Sequence, residues 1–168
     1  KDYTEGAFVR QGQLLFEIDP RPFEAVLNQA KADLAKAEAQ RGQTLSQLDQ
    51  AEAQLAQANS QLLQAQANQQ KTQLDVNKFT PLLARHAVTQ QDVDNAVQSN
   101  EAAKAQVEVA RSQIKAAAAA VGTARASIIA ADAQVNSSSA IVKTAELNLG
   151  FTRIFSPIDG IVGIAAAQ

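Results

Sequence analysis

Hydrophobic residues in the middle of the chain recur every seven positions, in two series of similar length. In the first series a large residue is followed three positions later by a small one, as in Leu27 and Ala30. The second series, from 93 to 149, repeats this order with β-branched residues, as in Val107 and Ala110. Residues with this spacing lie on one face of a helix and form a coiled-coil seam. The pattern predicts two long helices that each bury one narrow stripe.

The two series are interrupted near the midpoint of the chain by residues 78–92, with the sequence KFTPLLARHAVTQQD. Because helices of equal length lie on either side, we predict that the chain reverses there and forms an antiparallel helical hairpin. Alanine opposite leucine or valine lets the two helix axes approach closely. At a rise of about 1.5 Å per residue, a helix of about 60 residues would be about 90 Å long. Four polar residues occupy seam positions, and we expect them to fix the register: Arg41, Thr44, Gln69 and Asn100.

The two ends of the chain show a period of two instead, which is typical of β-strands. Within residues 1–19 we predict a strand from Leu14 to Ile18. Within residues 151–168 we predict strands from Phe151 to Phe155 and from Ile161 to Ile164, on either side of a Ser-Pro-Ile-Asp-Gly turn. Each piece is too short to be stable alone, so we expect the two ends to pair in one β domain.

These elements predict a mainly α fold in three segments. A coiled-coil hairpin spans residues 22–149, with its turn near 80–90. It is inserted between residues 1–21 and 150–168, which form the two halves of a partial β domain. The first helix is expected to begin at Pro22 or just after, since proline is favoured at the first helical position.

The far end of the first helix and both ends of the second carry recognisable signals. Pro81 lacks an amide proton and its ring clashes with the preceding turn, so the helix is expected either to kink there or to end near Thr80. Thr89 followed by Asp92 has the spacing of a capping box, which predicts that Thr89 is the N-cap of the second helix. Gly150 is expected to end that helix in the left-handed conformation.

Composition excludes several classes of function. The 168 residues are 46% hydrophobic but only 4% aromatic, have a net charge of -2 and include no cysteine. These values favour an alanine-rich helical protein over a round core and exclude a disulfide framework.

Lysine and arginine are scattered singly, so nucleic acid is not an expected partner. The longest apolar run, from Ala116 to Val121, is far shorter than the roughly 20 residues that cross a bilayer, and we predict no membrane span. Since the chain starts with Lys-Asp and stops in mid-pattern, we expect it to be a piece of a longer protein.

Candidate residues for catalysis or metal binding are few. The chain has one histidine, His86, and no match to the common hydrolase, phosphate-binding or zinc-protease motifs. Acidic residues occur one at a time on helix faces, and one histidine without cysteine does not complete a metal site. We predict no enzyme, no cofactor and no metal, and we interpret His86 as a solvent-facing turn residue.

The ends and the hairpin together resemble a known family. The residues that carry the resemblance are EGAFVRQGQLLFEIDPRPF at one end and LNLGFTRIFSPIDGIVG at the other. They resemble the two half-motifs of a lipoyl-like domain that is split by a helical hairpin, so the resemblance covers essentially the whole chain. It is to the HlyD-like periplasmic adaptor proteins, also called membrane fusion proteins, of resistance-nodulation-division (RND) efflux pumps. It implies the same order of β, long helix, turn, long helix and β.

The resemblance also implies a function and partners. Proteins of this family lie in the periplasm, assemble as rings and join an inner-membrane drug/proton antiporter to an outer-membrane channel. For this chain the resemblance implies a part in multidrug efflux, periplasmic location and self-association into a ring. It further implies anchoring to the inner membrane by a lipid or a helix outside these residues.

The family has a motif at the hairpin turn that meets the end of the outer-membrane channel. It consists of a basic residue, a leucine and then a serine or threonine, and Lys78, Leu82 and Thr89 match its spacing. The resemblance implies that these residues and Arg85 bind the channel. This chain departs from the motif in two respects. Lys78 replaces the usual arginine and lacks the planar guanidinium fork, and Pro81 lies between the first two motif positions. Leu82 and Thr89 also have structural interpretations, as turn packing and helix N-cap.

Three other functions are compatible with parts of the sequence. A lipoyl-like domain can carry lipoate or biotin on a lysine in a tight hairpin, but here the helices occupy that place and no Asp-Lys-Ala or Met-Lys-Met turn is present. A purely structural coiled-coil scaffold would have the same seam. An adaptor of a major-facilitator or ABC exporter would share the hairpin, although IDPRPF favours the RND type.

Overall fold

The computed structural model describes residues 6–163 and consists of two long helices with two short strands on either side. The elements in chain order are β1 (Phe8–Val9), β2 (Leu14–Glu17), α1 (Arg21–Ala84), α2 (Gln90–Gly150), β3 (Arg153–Phe155) and β4 (Gly160–Ile161). The chain divides into two compact units: unit 1 comprises Lys1–Gly42 and Ala130–Gln168, and unit 2 comprises Gln43–Ile129. Each unit contains part of both helices, and the four strands belong to unit 1.

In unit 1 the two ends of the chain pair as predicted. β1 pairs antiparallel with β4, with Phe8 opposite Ile161, and β2 pairs antiparallel with β3. The register of the second pair shifts between Leu14 and Phe16, which marks a β-bulge. Two two-stranded sheets result, and each joins a segment before the helices to a segment after them.

The strands are shorter than predicted. β2 ends one residue before its predicted end, and β3 begins two residues after its predicted start because Phe151 and Thr152 form a turn after α2. β4 contains the first residue of the strand predicted from Ile161 to Ile164. The end of that prediction, Ile164, lies outside the described residues, as do residues 1–5 of the first β segment.

The two helices run antiparallel in both units and pack as predicted, with large residues of one helix beside alanines of the other. The buried cluster of unit 1 contains Leu27, Ala30, Val142 and Ala145. The buried cluster of unit 2 contains Ala65, Val107 and Ala110, with Leu62 packed against it. Because alanine has only a methyl group, the two backbones approach closely at these positions. The helical hairpin is therefore confirmed.

Asn100 and Arg41, two polar seam residues, pair between the helices, which supports a role in fixing the register. In unit 2 the side chain of Asn100 is buried, and its amide nitrogen donates to Gln73 Oε1 at 2.8 Å. The amide oxygen of Asn100 accepts from the Thr72 hydroxyl at 3.2 Å. In unit 1 the guanidinium of Arg41 forms an ion pair with Asp132. A shift of one helix along the other would break these pairs.

α1 begins at Arg21, one residue before the predicted start. The Asp19 carboxylate accepts hydrogen bonds from the Arg21 backbone amide at 3.1 Å and from its guanidinium at 2.7 Å. The Pro20 carbonyl accepts the first helical bond, from the Glu24 amide at 2.9 Å. These bonds hold Arg21 in the helix although the residue before a proline favours an extended conformation. The hydrogen bond with the Arg21 side chain holds the pKa of Asp19 below its ordinary value and raises the pKa of Arg21.

α2 ends at Gly150 as predicted, but the expected left-handed conformation is wrong. Among the described glycines, Gly6 and Gly12 have a positive φ and Gly150 does not. The carbonyl of Leu149 instead accepts hydrogen bonds from the Thr152 hydroxyl at 2.7 Å and the Thr152 amide at 3.1 Å. The hydroxyl and the backbone amide of Thr152 therefore both donate to the end of the helix, without a left-handed glycine.

One 18-residue stretch of α2 has a mean hydropathy of 1.3 and meets the length and composition criterion for a membrane span. This differs from the prediction of no membrane span, which was based on the length of the longest apolar run. Only 11% of that stretch is buried. In the coiled coil of unit 2, α2 packs its seam on α1, and Arg125 of α2 forms an ion pair with Glu52 of α1 at 3.0 Å.

Replacing Ala110 with leucine should destabilise the hairpin. Ala110 is 2% exposed and lies in the cluster with Val107, so the larger side chain would force the helices apart at a cost of about 1–3 kcal/mol. Thermal unfolding followed by circular dichroism measures the change. Ala105→Leu adds the same side chain at an exposed position of α2 and should change stability by less than about 0.5 kcal/mol. Equal melting temperatures for the two variants would contradict a close-packed alanine seam.

Candidate functional site

The candidate residues of the sequence come together in the turn that joins α1 to α2. We define the tip as residues 78–92, which lie in unit 2. α1 continues through Pro81, so the alternative in which it ends near Thr80 is wrong. Proline removes a single amide donor, and the helix ends only three residues later. Residues 85–89 are non-helical, and α2 follows directly.

α1 ends in a Schellman motif. The amide of Ala87 donates to the carbonyl of Leu82 at 3.0 Å, and the amide of His86 donates to the carbonyl of Leu83 at 2.9 Å. The amide of Arg85 also donates to Leu82, at 3.1 Å. These bonds satisfy carbonyls that the last turn of a helix otherwise leaves without a donor.

The Schellman motif places His86 in the left-handed conformation, with a φ of 55°. It is the only described residue other than glycine with a positive φ. Glycine is usual at this position, and histidine tolerates the conformation better than most residues that have a Cβ atom. The side chain is exposed, in agreement with the interpretation of His86 as a solvent-facing residue. Its backbone role was not predicted, although the lack of glycine and asparagine in residues 84–88 was a signal that another residue must adopt this conformation.

α2 begins with the predicted capping box. The amide of Thr89 donates to the carboxylate of Asp92 at 2.9 Å, and the amide of Asp92 donates to the hydroxyl of Thr89 at 3.2 Å. The Thr89 hydroxyl in turn donates to the same carboxylate at 2.6 Å. This side-chain hydrogen bond, followed by the one from the backbone amide, holds the pKa of Asp92 below its ordinary value. Aspartate thus fills the position that glutamate or glutamine usually occupies.

The four candidate channel-binding residues lie in or beside this turn but differ in environment. Lys78 and Arg85 are exposed, and neither forms an ion pair with another described residue. Leu82 is half-buried, and its carbonyl holds the Schellman motif. Thr89 is exposed, but its hydroxyl both donates to and accepts from Asp92. The side chains of Lys78, Leu82 and Arg85 are therefore free of such internal bonds, whereas that of Thr89 holds the turn.

A cleft of about 480 Å³ lies between the two helices beside the tip. Its lining includes the apolar side chains of Phe79 and Val88 and the polar side chains of Asp75, Asp92 and Asn95. The carboxylate of Asp92 is already held by the capping box. Within residues 6–163 no group of three or more His, Asp or Glu side chains is placed to hold a metal ion. The lining of this cleft thus combines apolar and polar side chains of α1, the turn and α2.

Comparison with known proteins gives a consistent result. A family model described as RND MFP, barrel-sandwich hybrid domain, matches residues 1–167. Multidrug resistance protein MdtA of Proteus mirabilis is 32% identical over 162 residues, which are 96% of this chain and 26% of that protein. Multidrug efflux pump subunit AcrA of Escherichia coli is 27% identical over 163 residues, which are 97% of this chain and 27% of that protein. The chain therefore spans about a quarter of the length of the curated relatives it matches.

A solved structure of the periplasmic adaptor protein EmrA superposes on this chain with a TM-score of 0.46 and 13% sequence identity. The superposition covers 96% of this chain and 60% of that one.

Replacing Thr89 with alanine should raise the pKa of Asp92 toward its ordinary value, because the Thr89 side chain is the largest cause of the depression. A carboxyl with a depressed pKa stabilises the folded state above its unfolded pKa, and this stability is lost as the pH falls through the folded pKa. Thr89→Ala should therefore lose less stability than the parent protein on acidification. NMR titration of the Asp92 carboxyl carbon measures the pKa.

The control for this titration is Asp19, whose pKa is lowered by its own partner, Arg21. Asp19 should keep its depressed pKa in the Thr89→Ala protein. If the Asp92 titration midpoint were the same with and without Thr89, the capping box would not be the cause of the depression.

Proposed function

The chain belongs to the family of RND membrane fusion proteins, and we propose that it is the hairpin-bearing part of a periplasmic adaptor. In this proposal the adaptor links an inner-membrane drug/proton antiporter to an outer-membrane efflux channel. The observation that carries the proposal is the match of the family model to residues 1–167. The names of the relatives, a multidrug resistance protein and a multidrug efflux pump subunit, support a role in drug export.

The adaptor function accounts for more of the molecule than the alternatives do. In a lipoate or biotin carrier a short lysine turn would join the two β segments, whereas here α1 and α2 lie between β2 and β3. A coiled-coil scaffold alone would not need the paired β segments. An adaptor of a major-facilitator or ABC exporter would share both features, and the RND description of the matched family favours the RND type. The proposed role is mechanical and involves no enzymatic step.

The proposed domain organisation follows the predicted boundaries. Residues 1–21 and 150–168 are the two halves of a partial lipoyl-like domain, and residues 22–149 are the hairpin. The antiparallel strand pairs support this division, because each joins one half to the other. Further support comes from the backbone amide of Gln11, which donates to the carboxylate of Asp159 at 2.6 Å and so ties the turns of the two halves together.

The family also supports proposals on location and assembly. The adaptor would work in the periplasm, held to the inner membrane by a lipid or a helix outside this sequence, and would associate with further copies into a ring. Three large apolar side chains on the outer faces of the helices favour packing against other helices, since they are at least 61% exposed: Leu63, Leu74 and Ile129.

The proposed contact with the channel is the tip. Leu82 would provide an apolar anchor, and the exposed cations of Lys78 and Arg85 would meet acidic or carbonyl groups of the partner. Thr89 completes the family motif and is at the same time the N-cap of α2.

Leu82→Asp should abolish drug resistance conferred by the full-length protein, because a carboxylate would have to be buried at an apolar contact. Resistance is measured in cells with the cognate pump and channel, and helicity is measured by circular dichroism on the purified protein. Helicity should be unchanged. The matched control is Leu45→Asp, which places the same charge on an apolar residue of α1 that is 38% exposed and outside the tip, and it should retain resistance. Normal resistance with well-expressed Leu82→Asp would rule out docking through the tip.

Lys78→Arg should preserve or increase resistance, because arginine keeps the charge and adds a planar fork for two hydrogen bonds. Lys78→Gln removes the charge at similar length and should decrease resistance. The minimum inhibitory concentration of an exported drug, at matched expression, ranks the three proteins. If glutamine served as well as lysine, the charge at residue 78 would have no part in docking.

A further inference from the structure

We infer that His86 is a positioning residue for channel docking: its left-handed backbone gives the tip one fixed shape before any partner binds. This inference rests on the proposed docking function and assigns a role to a residue that the family motif does not include. The inference also gives Thr89 the role of holding the turn. The contact with the channel is then made by Lys78, Leu82 and Arg85.

The first observation is the conformation itself. A residue with a Cβ atom is strained at positive φ, and such strain persists only where the surrounding structure requires it. His86 is the one described residue of this kind, and its φ is 55°. It lies between Leu82 and Thr89, two of the residues that match the docking motif. Strained backbone at a proposed contact surface points to a function in recognition rather than in general stability.

The second observation is what the conformation makes possible. The amide of His86 donates to the carbonyl of Leu83 at 2.9 Å, and with His86 left-handed the next amide, of Ala87, reaches back to the carbonyl of Leu82 at 3.0 Å. If His86 became extended or right-handed, the bond from the Ala87 amide would be lost and the chain would leave α1 in another direction. The carbonyl of Leu82 accepts one of these bonds, so the end of the helix that carries the proposed apolar anchor depends on His86.

The third observation is that the other side of the turn is held independently. The capping box of Thr89 and Asp92 fixes the start of α2 through three hydrogen bonds. Val88 alone separates this box from the Schellman motif. The five non-helical residues therefore have little freedom, and a partner would meet a preformed surface. Binding to a preformed surface avoids the entropic cost of ordering a loop.

The test compares replacements of His86 that tolerate the left-handed conformation with one that does not. His86→Gly and His86→Asn keep it accessible, whereas the β-branched side chain of His86→Val disfavours it. His86→Ala is a milder form of the same defect and serves if the valine protein does not accumulate. Ala87→Val is the matched control, since it introduces the same side chain at the next residue, which has no positive φ.

Three measurements are made on each full-length protein: drug resistance in cells with the cognate pump and channel, melting temperature, and hydrogen exchange of the Ala87 amide by NMR. In the His86→Val protein we expect the Ala87 amide to exchange at least about tenfold faster than in the parent protein, and we expect resistance to be lost. His86→Ala should be intermediate in both exchange rate and resistance. The melting temperature should stay within about 2 °C of the parent value, because the seam is not touched. His86→Gly and His86→Asn should keep slow exchange and full resistance, and Ala87→Val should keep slow exchange.

Three results would overturn the inference. Full resistance of His86→Val despite fast exchange would show that docking does not need the fixed turn. Slow exchange in His86→Val would show that the turn does not depend on His86. Loss of resistance in His86→Gly and His86→Asn with slow exchange would show that the imidazole itself is the contact.

Leu82→Asp, measured in parallel, separates failure of the inference from failure of the proposed function. If Leu82→Asp loses resistance and His86→Val does not, the tip docks but His86 does not position it, and the inference fails alone. If both keep full resistance, docking through the tip fails, and the positioning role fails with it.

Discussion

Close packing of two helices along a stripe of alanine is the interaction on which the other features depend. Alanine buries little surface by itself, but it lets the large residue opposite reach the backbone of the neighbouring helix. The buried clusters combine such residues, Leu27 with Ala145 in one and Val107 with Ala65 in the other. Two helices cannot enclose a leucine on every side, so the large seam residues such as Leu34 and Leu62 stay partly exposed. Each unit therefore has a narrow seam between its two helical segments, and its stability is spread along that seam.

The same close approach constrains both ends of the helical pair. A connection between neighbouring antiparallel helices has to be short, and five non-helical residues suffice here because the Schellman motif and the capping box satisfy the exposed backbone groups. At the other ends, the chain enters and leaves through β segments that are stable only when paired with each other. A tip whose polar groups are bonded internally presents its remaining side chains, among them Lys78 and Leu82, in a defined arrangement. This is the physical basis for the proposed recognition role.

Most of the fold, and part of the tip, could be predicted from residue types. The seam and the hairpin followed from period seven, the paired ends from period two, and the capping box from Thr89 and Asp92. The differences arose where several hydrogen-bond donors compete for one helix end. Asp19 extended α1 to Arg21, and Thr152 took the place of a left-handed glycine. Such outcomes depend on which donor lies nearest, and residue type gives no measure of that distance.

The amino-acid sequence by itself determined which faces of the helices are buried, where the chain reverses and how α2 is capped, because these depend on side-chain type and spacing along one element. The tertiary structure decided which polar residues meet across the seam, as Asn100 meets Gln73 and Arg41 meets Asp132. It also decided that His86 adopts the left-handed conformation. The physical reason is that both outcomes depend on the position of one helix relative to the other. The distance between the helix ends sets the conformation of the turn, and without glycine or asparagine in the turn, residue preference left that choice open.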